Sequence, residues 1–268
     1  MKIYHSAFNL PKDIINPFEG KKIGLLRSFY PKPDSRKPEY CSDLFLDSGA
    51  FSAFRKKITL DVKDYASYLK KEGHFWEVIA SLDVIGNPVE SVKNQRYLTD
   101  LKLNVIPTFH HGEDFKYLHK IMNEFPYIAL GGMVFKNTWL RGWLDECWKE
   151  LKNYKGKVHG FGLTDFDLML RYPWESVDST TASRAGRIGI ILSPWGQLDI
   201  SKGLKAYVHE HVTTPKKIEK VMEWLDSVYP GLISSFDQIS SPTKEASQLR
   251  CIINVLYLEG LATKSKKK

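Results

Sequence analysis

Short runs of apolar and β-branched residues alternate along the chain with longer stretches in which apolar positions recur every three or four residues. Residues 43–47, Asp-Leu-Phe-Leu-Asp, read as a strand, and residues 61–71 as an amphipathic helix. Residues 78–83 form the next strand, and Pro88 opens a helix reaching about Leu101, because proline suits a first helical turn. Residues 104–109 are expected as strand and 114–125 as helix, with Phe115, Leu118, Ile121 and Met122 on its apolar face. The alternation continues through strand 127–130, a Trp-rich helix over 138–154, strand 157–163, a short helix over 166–171 and strand 174–178. One further strand is expected over 187–192, and helices over 215–228 and 243–258 complete the chain. Such strand–helix units with short connections imply a parallel sheet. About eight strands suggest closure into an α/β barrel of the (β/α)8 TIM type, with an open doubly wound sheet as the competitor. No repeat or linker interrupts the pattern, so a single barrel domain is expected over 1–262, with a basic tail over 263–268.

In such barrels the working residues gather at the carboxyl ends of the strands. Several of the expected strands end in polar or glycine residues: Asp47-Ser48-Gly49, Asp83, His110-His111-Gly112, Gly131-Gly132, Gly160-Phe161-Gly162 and Asp178-Ser179. A carboxylate there is costly to bury unless solvated or paired, so a set of them marks a site. The structural alternative is that Asp47 and Asp83 only cap the helices or turns that follow.

Composition narrows the partners. The net charge of +8 and a pI near 9.1 favour a polyanion, and the chain closes on Lys264-Ser-Lys-Lys-Lys268. Cys41, Cys147 and Cys251 are odd in number and far apart, which excludes a disulfide framework or a C-x-x-C metal pair and fits a reducing, cytoplasmic setting. No apolar run is long enough to span a membrane, and the first residues do not read as a signal peptide. Neither a G-x-x-x-x-G-K-[ST] loop nor a G-x-G-x-x-G turn after the first strand is present, nor a G-x-S-x-G elbow, so no nucleotide cofactor or serine nucleophile is expected.

Four segments, taken in order, resemble the tRNA-guanine transglycosylase family, including its compact DNA-directed relatives that insert 7-deazaguanines. Phe45-Leu-Asp47-Ser48-Gly49-Ala-Phe51 is similar to the family's T-D-S-G-G-F/Y-Q segment. Residues 177–189, Val-Asp-Ser-Thr-Thr-Ala-Ser-Arg-Ala-Gly-Arg-Ile-Gly, are similar to its F-D-C-V-x-P-T-R-x-A-R-x-G segment, with Asp178, Arg184, Arg187 and Gly189 in register. Gly131-Gly132 and Gly160-Phe161-Gly162 resemble its glycine-rich strand ends. The resemblance implies that Asp178 is the nucleophile at C1′ of the nucleotide, forming a covalent glycosyl intermediate. Asp47 would be the acid/base partner. It further implies that Asp83, His110, Gly131, Gly132, Ser48 and Phe51 surround the base, and that Arg184 and Arg187 hold phosphates. Phe51, Phe109 or Phe161 are candidates to sandwich an extruded base. The chain departs from the family in three places: Ser52 stands for a Gln, Ile85 for a Cys, and His110 for a base-reading Gln. The family's C-x-C-x-x-C zinc cluster is missing, so a zinc-free monomer without the zinc-binding subdomain is expected. Because that element helps the tRNA enzymes hold their substrate, DNA is the expected partner ahead of tRNA, with a free 7-deazaguanine as co-substrate.

Two readings from other classes compete. His110, His111, His209 and His211 with Asp83 or Asp178 would suit a metal-dependent barrel hydrolase, and His209-Glu-His211 alternates as strand neighbours do. A non-catalytic nucleic-acid-binding subunit is the other, although a scaffold needs neither Asp47 nor Asp178. Lys56, Lys57, Lys202, Lys205, Lys216 and Lys217 complete the expected basic track.

Overall fold

The computed structural model describes residues 1–9, 18, 20, 22–133, 139–163, 165–201, 210–212 and 214–265. They fall into two compact units, Met1–Ser6 with Lys22–Ser179, and Ala7–Lys21 with Thr180–Lys268. Of the residues named above, Lys202, Lys205, His209, residues 266–268 of the basic tail and residue 138 of the expected Trp-rich helix lie outside the described set.

The first unit contains eight strands, β1 (Lys2–Ser6), β2 (Ile23–Ser28), β3 (Cys41–Asp47), β4 (Val78–Ile79), β5 (Thr108–His110), β6 (Tyr127–Gly131), β7 (Lys157–Gly160) and β8 (Ser176–Ser179). Every pairing is parallel, in the order β4-β3-β2-β1-β8-β7-β6-β5. A parallel bridge between Ala80 and Ile106 joins the two edges, with Ser81 N–H donating to Ile106 O and Ile106 N–H to Ile79 O, both at 2.8 Å. The ring is closed, a TIM-type barrel.

Helices α1 (Ala50–Arg55), α2 (Val62–Glu72), α3 (Pro88–Asp100), α4 (Phe115–Glu124), α5 (Leu140–Glu150) and α6 (Phe166–Arg171) alternate with the strands. Their starts follow local chemistry: Asp61, Asn87, Asp114 and Asp165 each accept a backbone N–H of the first turn. Outward strand residues such as Leu44, Leu46, Ile128, Leu130 and Val177 are fully buried. Phe109 is one of them. It packs against Phe115 at 5.4 Å and Trp143 at 6.0 Å, and with no exposed surface it cannot sandwich a base. That expectation is corrected, because residue 109 falls on the odd, helix-facing side of its strand.

The strand count also needs correction. The strand expected over 187–192 is not a barrel stave: β9 (Ile190–Ser193) pairs antiparallel with β10 (Gly196–Asp199), which pairs parallel with β11 (Glu210–His211) in a separate sheet. The barrel is completed instead by β1 and β2, whose inward positions include Tyr4, Ser6, Gly24 and Ser28. Those residues break the apolar signature of a buried strand.

The second unit holds that three-stranded sheet with α7 (Thr181–Arg187), α8 (Pro215–Val228), α9 (Asp237–Ser240) and α10 (Lys244–Ser265). Its apolar cluster includes Ile191, Leu198, Val221, Leu225, Ile239 and Ile253. Helices α7 and α10 approach at Gly186, where a Cβ would lie 2.6 Å from Cys251 N. Asn254 ties the contact, accepting from Leu192 N–H at 2.7 Å and donating to Ala182 O and Ile190 O. Arg250 is 1% exposed and donates to the carbonyls of Gly186, Ile239 and Ser241. No helix among the described residues is long and apolar enough to cross a membrane.

Arg250→Met keeps the aliphatic bulk but strands three buried acceptors. It should lower the unfolding free energy by about 3 kcal/mol in urea titrations, and a loss below about 1 kcal/mol would contradict this account.

Candidate active site

Side chains on one strand alternate between barrel interior and helix layer, so every second residue faces the axis. Tyr4, Leu26, Phe45, Ala80, Ile106 and Ala129, on or beside six consecutive staves, form one interior cluster capped by Phe161. One alternation further towards the carboxyl ends lie Ser6, Ser28, Asp47, Thr108 and Gly131. Asp178 occupies the same end of β8. The period-two rule therefore delivers Asp47 and Asp178 to one mouth.

Asp178 is 6% exposed. Its Oδ2 accepts from Ser6 Oγ at 3.0 Å and its Oδ1 from Gly162 N–H at 2.7 Å. His159 Nε2 stands 3.6 Å from Oδ1. No Lys or Arg of the described residues forms an ion pair with it within 4.0 Å. Asp47 accepts from Ser28 Oγ at 3.0 Å and from Gly49 N–H at 3.1 Å. Gly49, at φ 77°, takes a left-handed conformation in which a Cβ would meet Tyr30 O at 2.7 Å. Neither Asp47 nor Asp83 caps a helix: Gly49 is the N-cap of α1 and Asn87 that of α3. Asp47 does close a turn through Gly49, yet that contact falls on Oδ2, as does the one from Ser28, and leaves Oδ1 without a hydrogen bond among the described residues.

Burial, reinforced by the Asp178 carboxylate, pushes Asp47 up to about 6. Asp83 is likewise pushed up to about 6 by burial, with His110 opposing and Glu113 adding to the shift. Burial alone would lower His110, but Glu113 and Asp83 outweigh it and raise the imidazole. His110 Nε2 is 3.6 Å from Asp83 Oδ2 and its Nδ1 is 3.4 Å from Glu113 Oε1. Glu113 Oε2 also accepts from His110 N–H at 3.0 Å, fixing the turn after β5.

The remaining expected residues divide. Gly131 lies against His110, where a Cβ would meet the imidazole Cδ2 at 2.8 Å. At Gly132 (φ 81°) one would meet His111 N at 3.0 Å. Both glycines are thus required by the packing of the two histidines. Ser48 is buried, and its hydroxyl accepts from Ala50 N–H at 3.4 Å. Phe51 and Phe161 are partly exposed, and Phe161 packs edge-on against Phe45 with ring centroids 5.5 Å apart. Arg184 and Arg187 are exposed on α7 of the second unit, where Arg187 donates to Ala7 O at 2.8 Å. His211, also in that unit, approaches Asp199 at 2.9 Å, and His111 packs edge-on against Trp143. Among the described residues no group of three or more His, Cys, Asp or Glu is arranged to hold a metal.

Reading by strand ends missed Ser6, Ser28, Glu113 and His159. His159 had a visible signal, a histidine inside the short strand that precedes Gly160-Phe-Gly162. Ser6 and Ser28 had none, since their strands went unrecognised. No protein-family model matches the chain, and no curated protein matches it.

Because Asp47 and Asp83 hold protons more tightly when folded, their contribution to stability is complete below about pH 4 and is lost as pH rises through about 6, by about 3 kcal/mol for each. Asp47→Asn should therefore stabilise the protein by about 1–2 kcal/mol at pH 7.5 and by nothing at pH 4. Urea denaturation at both pH values checks this, and an equal effect at the two would contradict it.

Proposed function

We propose that the protein is a base-exchanging pentosyltransferase, replacing guanine in a nucleic acid, DNA ahead of tRNA, with a 7-deazaguanine. The observation that carries the reading is the divergence of two carboxyls at one barrel mouth. Among the described residues Asp178 receives two neutral donors and no cationic partner, while Asp47, lacking a cation there too, is raised to about 6. A nucleophile must be anionic and unpaired, and an acid/base group must sit near the working pH. In the first half-reaction Asp178 attacks C1′, the bond from C1′ to the base nitrogen breaks, and Asp47 gives the departing base a proton. In the second, Asp47 takes the proton of the incoming base, whose nitrogen attacks C1′ and displaces Asp178. Two inversions give net retention.

Four carboxyl groups, Asp47, Asp83, Glu113 and Asp178, make the mouth acidic, which favours a cationic oxocarbenium-like transition state and repels phosphates. The backbone must then be gripped at the rim. Phe54, 58% exposed, and the exposed Arg55, Lys56 and Lys57 follow directly on the Asp47 turn. Lys57 there adopts φ 56°, a conformation unusual for a side-chain-bearing residue. Aromatic and basic groups interleaved in this way suit a nucleic-acid strand.

Labelled 7-deazaguanine incubated in parallel with duplex DNA, single-stranded DNA and tRNA tests the reading. Label should enter DNA, and Asp178→Asn should lose at least about a thousandfold in rate together with any trapped covalent adduct, at an unchanged melting temperature. Near-wild-type exchange by that variant would remove Asp178 from its role, and transfer to tRNA alone would reverse the choice of substrate.

Binding to the same nucleic acid should weaken by about tenfold in Lys56→Glu/Lys57→Glu, with a shallower salt dependence, in fluorescence anisotropy across salt concentrations. An unchanged slope would place the backbone contacts elsewhere.

A further inference from the structure

Beneath Asp178 lies a chain of polar groups, buried at His159 and Ser176 and partly buried at Tyr127, that the two-carboxylate chemistry does not itself require. Tyr127 Oη and Ser176 Oγ are 2.6 Å apart, and Ser176 Oγ is 2.7 Å from His159 Nδ1. His159 has no exposed surface. Its ring is boxed by Phe45 and Phe161, each with its centroid at 4.5 Å, and by Tyr4 at 6.1 Å. Its Nε2 makes no hydrogen bond and faces Asp178 Oδ1 at 3.6 Å, beyond hydrogen-bond length.

Only one arrangement of protons suits this geometry. A neutral imidazole carries one N–H, and a bare Nε2 lone pair turned to the Asp178 carboxylate would be repelled by it. With the proton on Nε2, Nδ1 must accept, so Ser176 donates to it, and Tyr127 in turn donates to Ser176. Each hydroxyl has one proton, and the three donors then point the same way, towards Asp178. We infer that Tyr127, Ser176 and His159 form a directed donor relay in which His159, neutral and protonated on Nε2, is the positioning residue that presents a dipole to the Asp178 carboxylate. Burial lowers the His159 imidazole, partly offset by Asp178, which is consistent with a neutral ring. Burial also pushes the Tyr127 phenol up to about 12, keeping its proton in place.

A neutral donor has a consequence that a cation would not. It steadies the anion without forming an ion pair, so the oxygen keeps its nucleophilicity. The proton arrangement stands on geometry alone; its catalytic effect rests on the base-exchange reading.

The test uses the full chain with ¹⁵N-labelled histidine, the His159 signals being assigned by their disappearance in His159→Gln. His159 should show the neutral Nε2–H tautomer from pH 8 down to pH 6. A Nδ1–H tautomer or an imidazolium at pH 7 overturns the relay, whatever the activity. Ser176→Ala and Tyr127→Phe, which conserve packing, should each lower kcat for base exchange by about tenfold at unchanged KM. Both should also move the acid limb of the pH–kcat profile upward. Wild-type kcat and pH profile in both variants would reduce the chain to packing and overturn its positioning role. The expected tautomer in a protein that transfers no base leaves the relay intact and rejects the base-exchange reading instead.

Discussion

A carboxylate directed into the mouth of a closed barrel has nowhere to turn. The period of two that alternates Leu44, Phe45, Leu46 and Asp47 between helix layer and axis fixes its direction, and the parallel ring fixes its neighbours. Asp47 and Asp178 therefore share one small, partly desolvated space in which full ionisation of both is unfavourable. The hydrogen bonds from Ser28, Gly49, Ser6 and Gly162, the histidines flanked by acids, and the glycines that admit those histidines all act on that single electrostatic constraint. Had Asp178 been given an arginine, folding would be easier and the carboxylate would be masked.

The staves solve this unevenly. At Asp47 the donors are a hydroxyl and one turn amide on the same oxygen, too few to offset burial, so the group stays near 6. At Asp178 each oxygen has its own donor, and a third polar group approaches from below. Two aspartates of the same intrinsic acidity thus end in different environments because β1 and the turn after β7 supply Ser6 and Gly162 to one, while β2 supplies Ser28 to the other.

Much of the helix layer was legible in the sequence because capping and helical period are local signals. Helices over Phe166–Arg171 and Pro215–Val228 begin and end where the pattern places them. The strands carrying Asp47 and Asp178 were legible too, each bringing an acidic residue to the end of a hydrophobic run. The strands β1 and β2 were not, because Ser6, Gly24 and Ser28 on their inward face erase the alternation that marks a strand. Phe109 was misassigned for the complementary reason: an aromatic beside a histidine at a strand end looks functional until the parity of its strand is known. The relay under Asp178 could not be read, since Tyr127, Ser176 and His159 meet only through the registry of β6, β7 and β8.

Under the base-exchange proposal, a protein of net charge +8 with an acidic barrel mouth would treat different parts of one ligand differently. Phosphates would be drawn to basic surface but refused by Asp47, Asp83, Glu113 and Asp178, so a polyanion would approach without lodging its backbone among the carboxyls. A neutral base and its sugar would enter, and an extended strand offers these only by turning one nucleotide out of its stack. Positive charge developing on that sugar would then meet the field that excluded the phosphates. The same carboxyls that make the mouth expensive to fold would sort the ligand and stabilise the transition state, which is why the Asp47–Asp178 pair, rather than the basic surface, carries the functional argument.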